Sequence, residues 1–164
     1  MYNNKRCIGL IFDRSYLVYD VGIGMKIIYN ILYRNKNNAH YVFGGIPRFV
    51  EHTKEYAKAL KIEPSLLHEL CIPYYDDHYL TKTVIADWLQ KVLDFMPDEI
   101  YILRDDGHTN ETTTLIEYCL RNKIPVTEYN NRGDEHVLGY GGVYNTNQWF
   151  KLNQNIGRKY KDNV

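Results

Sequence analysis

Three short clusters carry residue types that could do chemistry: Asp76-Asp77-His78, Asp105-Asp106 with His108, and Asp134-Glu135-His136. Carboxylate and imidazole groups together can hold a divalent metal, and such a metal suits phosphoester hydrolysis. The first two clusters follow apolar, strand-like runs and would share one end of a parallel sheet. The same residue types are equally common in solvated loops, and no His-Glu-x-x-His spacing occurs. No metal or other cofactor is therefore expected. His40, His52 and His68 read as structural or surface residues.

Other reaction classes find less support. The only serines are Ser15 and Ser65, and neither lies in a Gly-x-Ser-x-Gly elbow. Gly22-x-Gly24 lacks the third glycine of a dinucleotide fingerprint. Lys151, Arg158, Lys159 and Lys161 are interleaved with Trp149, Phe150 and Tyr160. Such a tail can hold nucleic acid by charge and stacking, but a basic terminus is more commonly just solvated. The balance of 20 basic and 20 acidic residues gives no overall footprint for nucleic acid or anionic membrane. Nucleic acid and membrane are therefore not expected as partners.

A chain of 164 residues with 45% hydrophobic and 24% charged content suits one globular domain. Such a chain buries enough surface to fold without disulfides. Cys7, Cys71 and Cys119 are widely spaced and read as reduced thiols, which points to a cytoplasmic protein. No apolar run approaches a membrane span, and the start lacks a signal-peptide pattern. Asn- and Lys-rich usage suggests an AT-rich genome, that of a low-GC bacterium or its phage.

The pattern predicts strands at Arg6–Phe12, His40–Phe43, His68–Tyr74, Glu99–Leu103 and Ile124–Tyr129. Between them it predicts helices at Tyr19–Tyr33, Pro47–Leu60, Thr81–Met96 and Glu111–Arg121. The strand runs are apolar without clean alternation, as in a sheet covered on both faces. The natural solution is an α/β three-layer sandwich with five parallel strands in the order 3-2-1-4-5 and right-handed crossovers. Ligands in such folds bind at the C-terminal ends of the strands, near the switch in strand order. Residues 1–130 are expected to form this domain and residues 131–164 a C-terminal extension packed on the domain or on a partner.

Two collinear segments resemble the SLOG superfamily of Rossmann-like proteins, in its short YspA-type branch. In YVFGGIPRFVEHTKEYAKALKI, Gly44 and Gly45 match the family's paired glycines, and Tyr56, Ala57 and Ile62 also fall in place. In DDGHTNETTTLIEYCLRNKIPV, Asp106, Gly107, Thr109, Thr112, Ile116, Tyr118, Pro125 and Val126 match without a gap. The start IGLIFDRSYLVYD is weakly similar to the family's first strand and loop, with Arg14 standing for that loop's arginine. The resemblance implies anion recognition. Glycines after a strand let backbone N–H groups approach phosphate oxygens, and a helix start adds oriented donors. Thr109 and Thr112 can donate hydroxyl hydrogen bonds, and Asp106 can take a ribose hydroxyl or cap the next helix. Asp-Gly and Thr before a helix are also plain turn and cap chemistry.

The departures bear on activity. Arg48 replaces a glycine of the second loop, Val50 an acidic residue, Leu89-Gln90 an Arg-Asn pair, and Glu111 the glycine before the fourth loop's threonine. Glu111 suits a helix N-terminus but would repel a phosphate. Arg48 and Glu111 are expected to pair and partly close the pocket. The family's phosphoribohydrolases carry a catalytic glutamate where this chain has Leu115, and a leucine can serve neither as base nor as charge stabiliser. Glu111 and Glu117 are the remaining candidates for catalysis. The expected function is binding of a nucleotide or nucleotide-derived ligand, without strong catalysis, by Arg14, Gly44, Gly45, Arg48, Asp106, Gly107, Thr109 and Thr112. The alternatives are a nucleotide N-glycosidase or phosphoester hydrolase, and a protein-interaction module with a filled pocket, acting as a homo-oligomer.

Overall fold

The computed structural model describes residues 5–13, 15–16, 21–70, 82–105 and 110–138. Strand β1 (Arg6–Phe12) is buried at every position but its first, which fixes it at the centre of a sheet covered on both sides. The following elements are α1 (Val21–Asn35), β2 (Ala39–Gly45), α2 (Pro47–Ala59), β3 (Leu67–Glu69) and α3 (Lys82–Asp94). The chain continues as β4 (Glu99–Leu103), α4 (Asn110–Arg121), β5 (Val126–Tyr129) and β6 (Glu135–Leu138).

Among the described residues the sheet has six strands, in the order β3-β2-β1-β4-β5-β6. The first five are parallel, and β6 runs antiparallel to β5. This is a Rossmann-like α/β sandwich with the expected core order and one strand more than expected. The extra strand is made by a hairpin. Asn130 Oδ1 accepts the N–H groups of Arg132 at 2.9 Å and Asp134 at 3.0 Å, and Gly133 takes a positive φ of 83°. An Asn side chain closing the turn and a glycine beyond it reverse the chain onto β5. The sheet therefore extends past residue 130, into what reads from sequence as an extension.

The two faces have separate cores. Ile8, Leu10 and Phe12 of β1 with Tyr41 and Phe43 of β2 pack against Ile28, Ile31 and Leu32 of α1 and Phe49, Val50 and Ala57 of α2. On the other face, Ile11, Ile100, Ile102, Val126 and Leu138 meet Trp88 and Val92 of α3 and Leu115, Ile116 and Cys119 of α4. Burying a side chain of this size contributes roughly 1.5–3 kcal/mol. Pro47 opens α2 at a position where a missing N–H costs nothing. Strand β3 ends at Glu69, and residues 71–74 of the expected run, Cys71 among them, lie outside the described residues. Among the described residues, no helix is long and apolar enough to cross a membrane.

Candidate functional site

Crossovers leave β1 and β4 toward opposite faces: α1 packs in the first core and α4 in the second. These two strands are neighbours in the sheet. In folds of this kind a pair of strands with such divergent crossovers is where a ligand crevice forms, at their C-terminal ends. A buried polar network lies at this end of the sheet. Asp13, 1% exposed, follows β1 directly. Its carboxylate accepts the Thr112 hydroxyl at 2.8 Å and the Ser15 N–H at 2.9 Å. Ser15 Oγ in turn accepts the N–H of Asp105, beyond β4, at 3.0 Å. The chain then folds Tyr16 back onto the first core, edge-on to Phe49, with its hydroxyl donating to the Asn130 carbonyl at 3.2 Å. Burial first, and the charge of Asp105 second, push the Tyr16 phenol up to about 12. It stays a neutral donor.

A second node stands beside the first. Arg104 leaves β4 on the α4 side and is buried with Glu128 of β5, Nε to Oε2 at 2.6 Å. Its Nη1 also donates to the Thr113 hydroxyl at 3.2 Å. His136 Nδ1 of β6 lies 3.9 Å from the other Glu128 oxygen. Strands β4 and β5 and the first turn of α4 are thus tied together by one charged pair, with His136 of β6 beside it. Such buried pairs persist only where further hydrogen bonds satisfy them, as Thr113 does here.

Gly44 and Gly45 end β2 at the same end of the sheet, on the far side of β1. Their lack of side chains has a local cause. A Cβ on Gly44 would stand 2.1 Å from the Leu70 carbonyl oxygen, and one on Gly45 would stand 2.0 Å from that of Phe12. Gly45 also has φ of +126°. The α2 start is a poor anion cradle. Pro47 has no N–H, the Ile46 N–H goes to the Phe12 carbonyl, and the Phe49 and Val50 N–H groups go to the Ile46 carbonyl. Arg48 keeps its N–H and an exposed guanidinium there.

Among the expected residues, Gly44, Gly45, Arg48 and Thr112 come to one end of the sheet. Thr112 is 1% exposed and gives its hydroxyl hydrogen to Asp13. Arg14, Asp106, Gly107 and Thr109 lie outside the described residues, as does the side chain of Glu111 and with it the Arg48–Glu111 pairing. Leu115 is fully buried in the second core, so the position of the family's glutamate faces no solvent. Glu117 is half-buried further along α4. Of the acidic and histidine clusters, Asp76-Asp77-His78, Asp106 and His108 lie outside the described residues. Among the described residues, no group of three or more metal-ligating side chains is placed to hold an ion.

Sequence reasoning missed Asp13, Ser15, Arg104, Thr113 and Glu128. The signal was present for three of them: Asp13 and Arg104 are the first polar residues after apolar strand runs, and Glu128 interrupts another. A charge at such a position must find a buried partner. No family model matches this chain, and no curated protein or solved structure matches it either.

Proposed function

We propose that this chain is a divergent SLOG-type module that binds a nucleotide or nucleotide-derived ligand in the crevice after β1 and β4, without strong catalysis. The observation carrying this reading is the switch in strand order between β1 and β4, where polar groups from β1, β4 and α4 gather at one end of the sheet. Arg48 supplies a cation at the rim, and the Asp105 carboxylate is suited to a ribose hydroxyl. Leu115 in the core argues against glycosidic cleavage by the family's route.

One observation favours a second reading. The Asp13 carboxylate already sits at the start of α4, where an anionic ligand would otherwise gain from the helix dipole. A crevice filled in this way suits a protein-interaction module. Thermal unfolding with ATP, ADP, AMP, NAD and cyclic dinucleotides separates the two. A ligand at a hundred times its Kd adds about 2.7 kcal/mol. At this chain length that raises Tm by roughly 5–10 °C. Arg48→Ala and Asp105→Asn should reduce the shift. Absence of any shift at millimolar ligand would leave the interaction module standing.

A further inference from the structure

A hollow of about 380 Å³ lies between α1 and the β5–β6 hairpin, away from the crevice. That volume is within the range of small-molecule sites. Ile27 and the buried Tyr129 are among its lining residues. Asn30, Tyr33 and Arg34 form the α1 wall, and Glu135 the hairpin wall. Tyr33 is held in place by a stacked Tyr29, centroids 5.9 Å apart, and by the Lys36 ammonium 4.4 Å from its ring.

The two charged groups of the hollow are each anchored once and form no direct ion pair with one another among the described contacts. Arg34 Nε donates to the Asn30 carbonyl at 3.3 Å, which leaves its two terminal nitrogens without partners among the described residues. Glu135 Oε2 accepts the Tyr129 hydroxyl at 2.7 Å, which leaves Oε1 without a partner among the described residues. Burial first, then the bond to Glu135, push the Tyr129 phenol well above its ordinary range, so that donor remains in place. A hollow with one cation, one anion and apolar lining residues is complementary to a ligand of the same pattern.

We propose that this hollow binds a small zwitterion, an α-amino acid with an apolar side chain. Its carboxylate meets the free edge of the Arg34 guanidinium and its ammonium meets Glu135 Oε1. Its side chain lies on Ile27 and Tyr129. A nucleotide fits less well, because a phosphate dianion drawn to Arg34 would be repelled by Glu135. The inference is independent of the crevice and of what binds there.

The test is a titration of the full chain with L-phenylalanine, followed by amide NMR shifts at Ile27 and Gly133. Its methyl ester lacks the carboxylate and N-acetyl-L-phenylalanine lacks the ammonium. Both should bind at least about tenfold more weakly, the loss of one charge-assisted hydrogen bond. Arg34→Gln should weaken L-phenylalanine by a similar factor. Glu135→Gln should weaken L-phenylalanine but leave the N-acetyl compound unchanged. Both positions are exposed, so the variants should keep the wild-type circular dichroism. The proposal is overturned if neither L-phenylalanine nor the other proteinogenic amino acids move these amides at millimolar concentration. It is equally overturned if the ester and the N-acetyl compound bind as well as the parent, or if AMP moves the same amides more strongly.

Discussion

Replacing Glu128 with leucine tests how much of the crevice depends on one buried ion pair. Its side chain and that of Arg104 are 7% and 2% exposed and meet at 2.6 Å. Removing one member leaves the other's charge in the interior. That imbalance costs about 3–5 kcal/mol, against a total stability of about 5–15 kcal/mol for a domain. The Thr113 hydroxyl still accepts one Arg104 N–H, which places the expected loss nearer 3 kcal/mol. Tm should fall by roughly 6–12 °C for a chain of this length. The double variant Arg104→Met with Glu128→Leu should recover most of this, because an apolar pair of similar volume requires no desolvation of charge. Urea unfolding of the four proteins closes a double-mutant cycle, with coupling of at least about 1 kcal/mol expected. If Glu128→Leu costs less than about 1 kcal/mol, or if the two losses simply add, the pair is solvated in solution. The loops after β4 and β5 would then lack the brace described above.

Other perturbations follow from the same contacts. Gly44→Ala should lose about 1–3 kcal/mol or more, measured by urea midpoint, because its Cβ would meet a backbone oxygen at 2.1 Å that cannot swing away. A neutral result would show that the β2–β3 edge is loose. Burial holds the imidazoles of His40 and His68 below the ordinary 6.5, with the neighbouring His40 charge adding to the effect at His68 and Asp98 opposing it at His40. The unfolded chain then binds more protons than the folded one below pH 6.5. Their contribution is complete above that pH and is lost as pH falls toward the folded values. His68→Gln should flatten the urea midpoint across this window, and an unchanged slope would assign it to other groups. Burial pushes the Cys7 and Cys119 thiols up to about 12. Both should resist iodoacetamide at neutral pH until urea unfolds the chain, as read site by site by mass spectrometry. Rapid native labelling of Cys119 would show that α4 opens.

The core of the fold was legible because its determinants are local. Apolar runs such as Cys7–Phe12 and Ile100–Leu103 have no polar face to offer solvent, so each needed cover on both sides and a helix between neighbours. Strand β6 was not legible in this way. Glu135, His136 and Val137 are polar or exposed, and only Leu138 is fully buried. An edge strand of this kind is set by its turn and by pairing with β5, and a hydrophobicity pattern does not register either. The network around Asp13 and Arg104 was hidden for a related reason. Its members come from five elements, and no spacing along the chain connects Asp13 with Thr112 or Arg104 with Glu128.

The paired glycines show how one motif can carry two physical requirements. Anion binding needs glycine so that a ligand can approach the backbone, and strand packing needs it so that another strand's carbonyl can. At Gly44 and Gly45 the second requirement is already met in full by Leu70 and Phe12. The glycines would be needed here whether or not a phosphate ever visits. Evidence for a ligand must therefore come from groups that packing leaves over. At α2 these are the N–H and guanidinium of Arg48. Beside β4 the group left over among the described residues is the Asp105 carboxylate, whose own N–H is satisfied by Ser15. Arg48 and Asp105 are accordingly the substitutions whose effect on ligand binding can be read apart from their effect on folding. Gly44, Gly45 and Thr112 would lose both together.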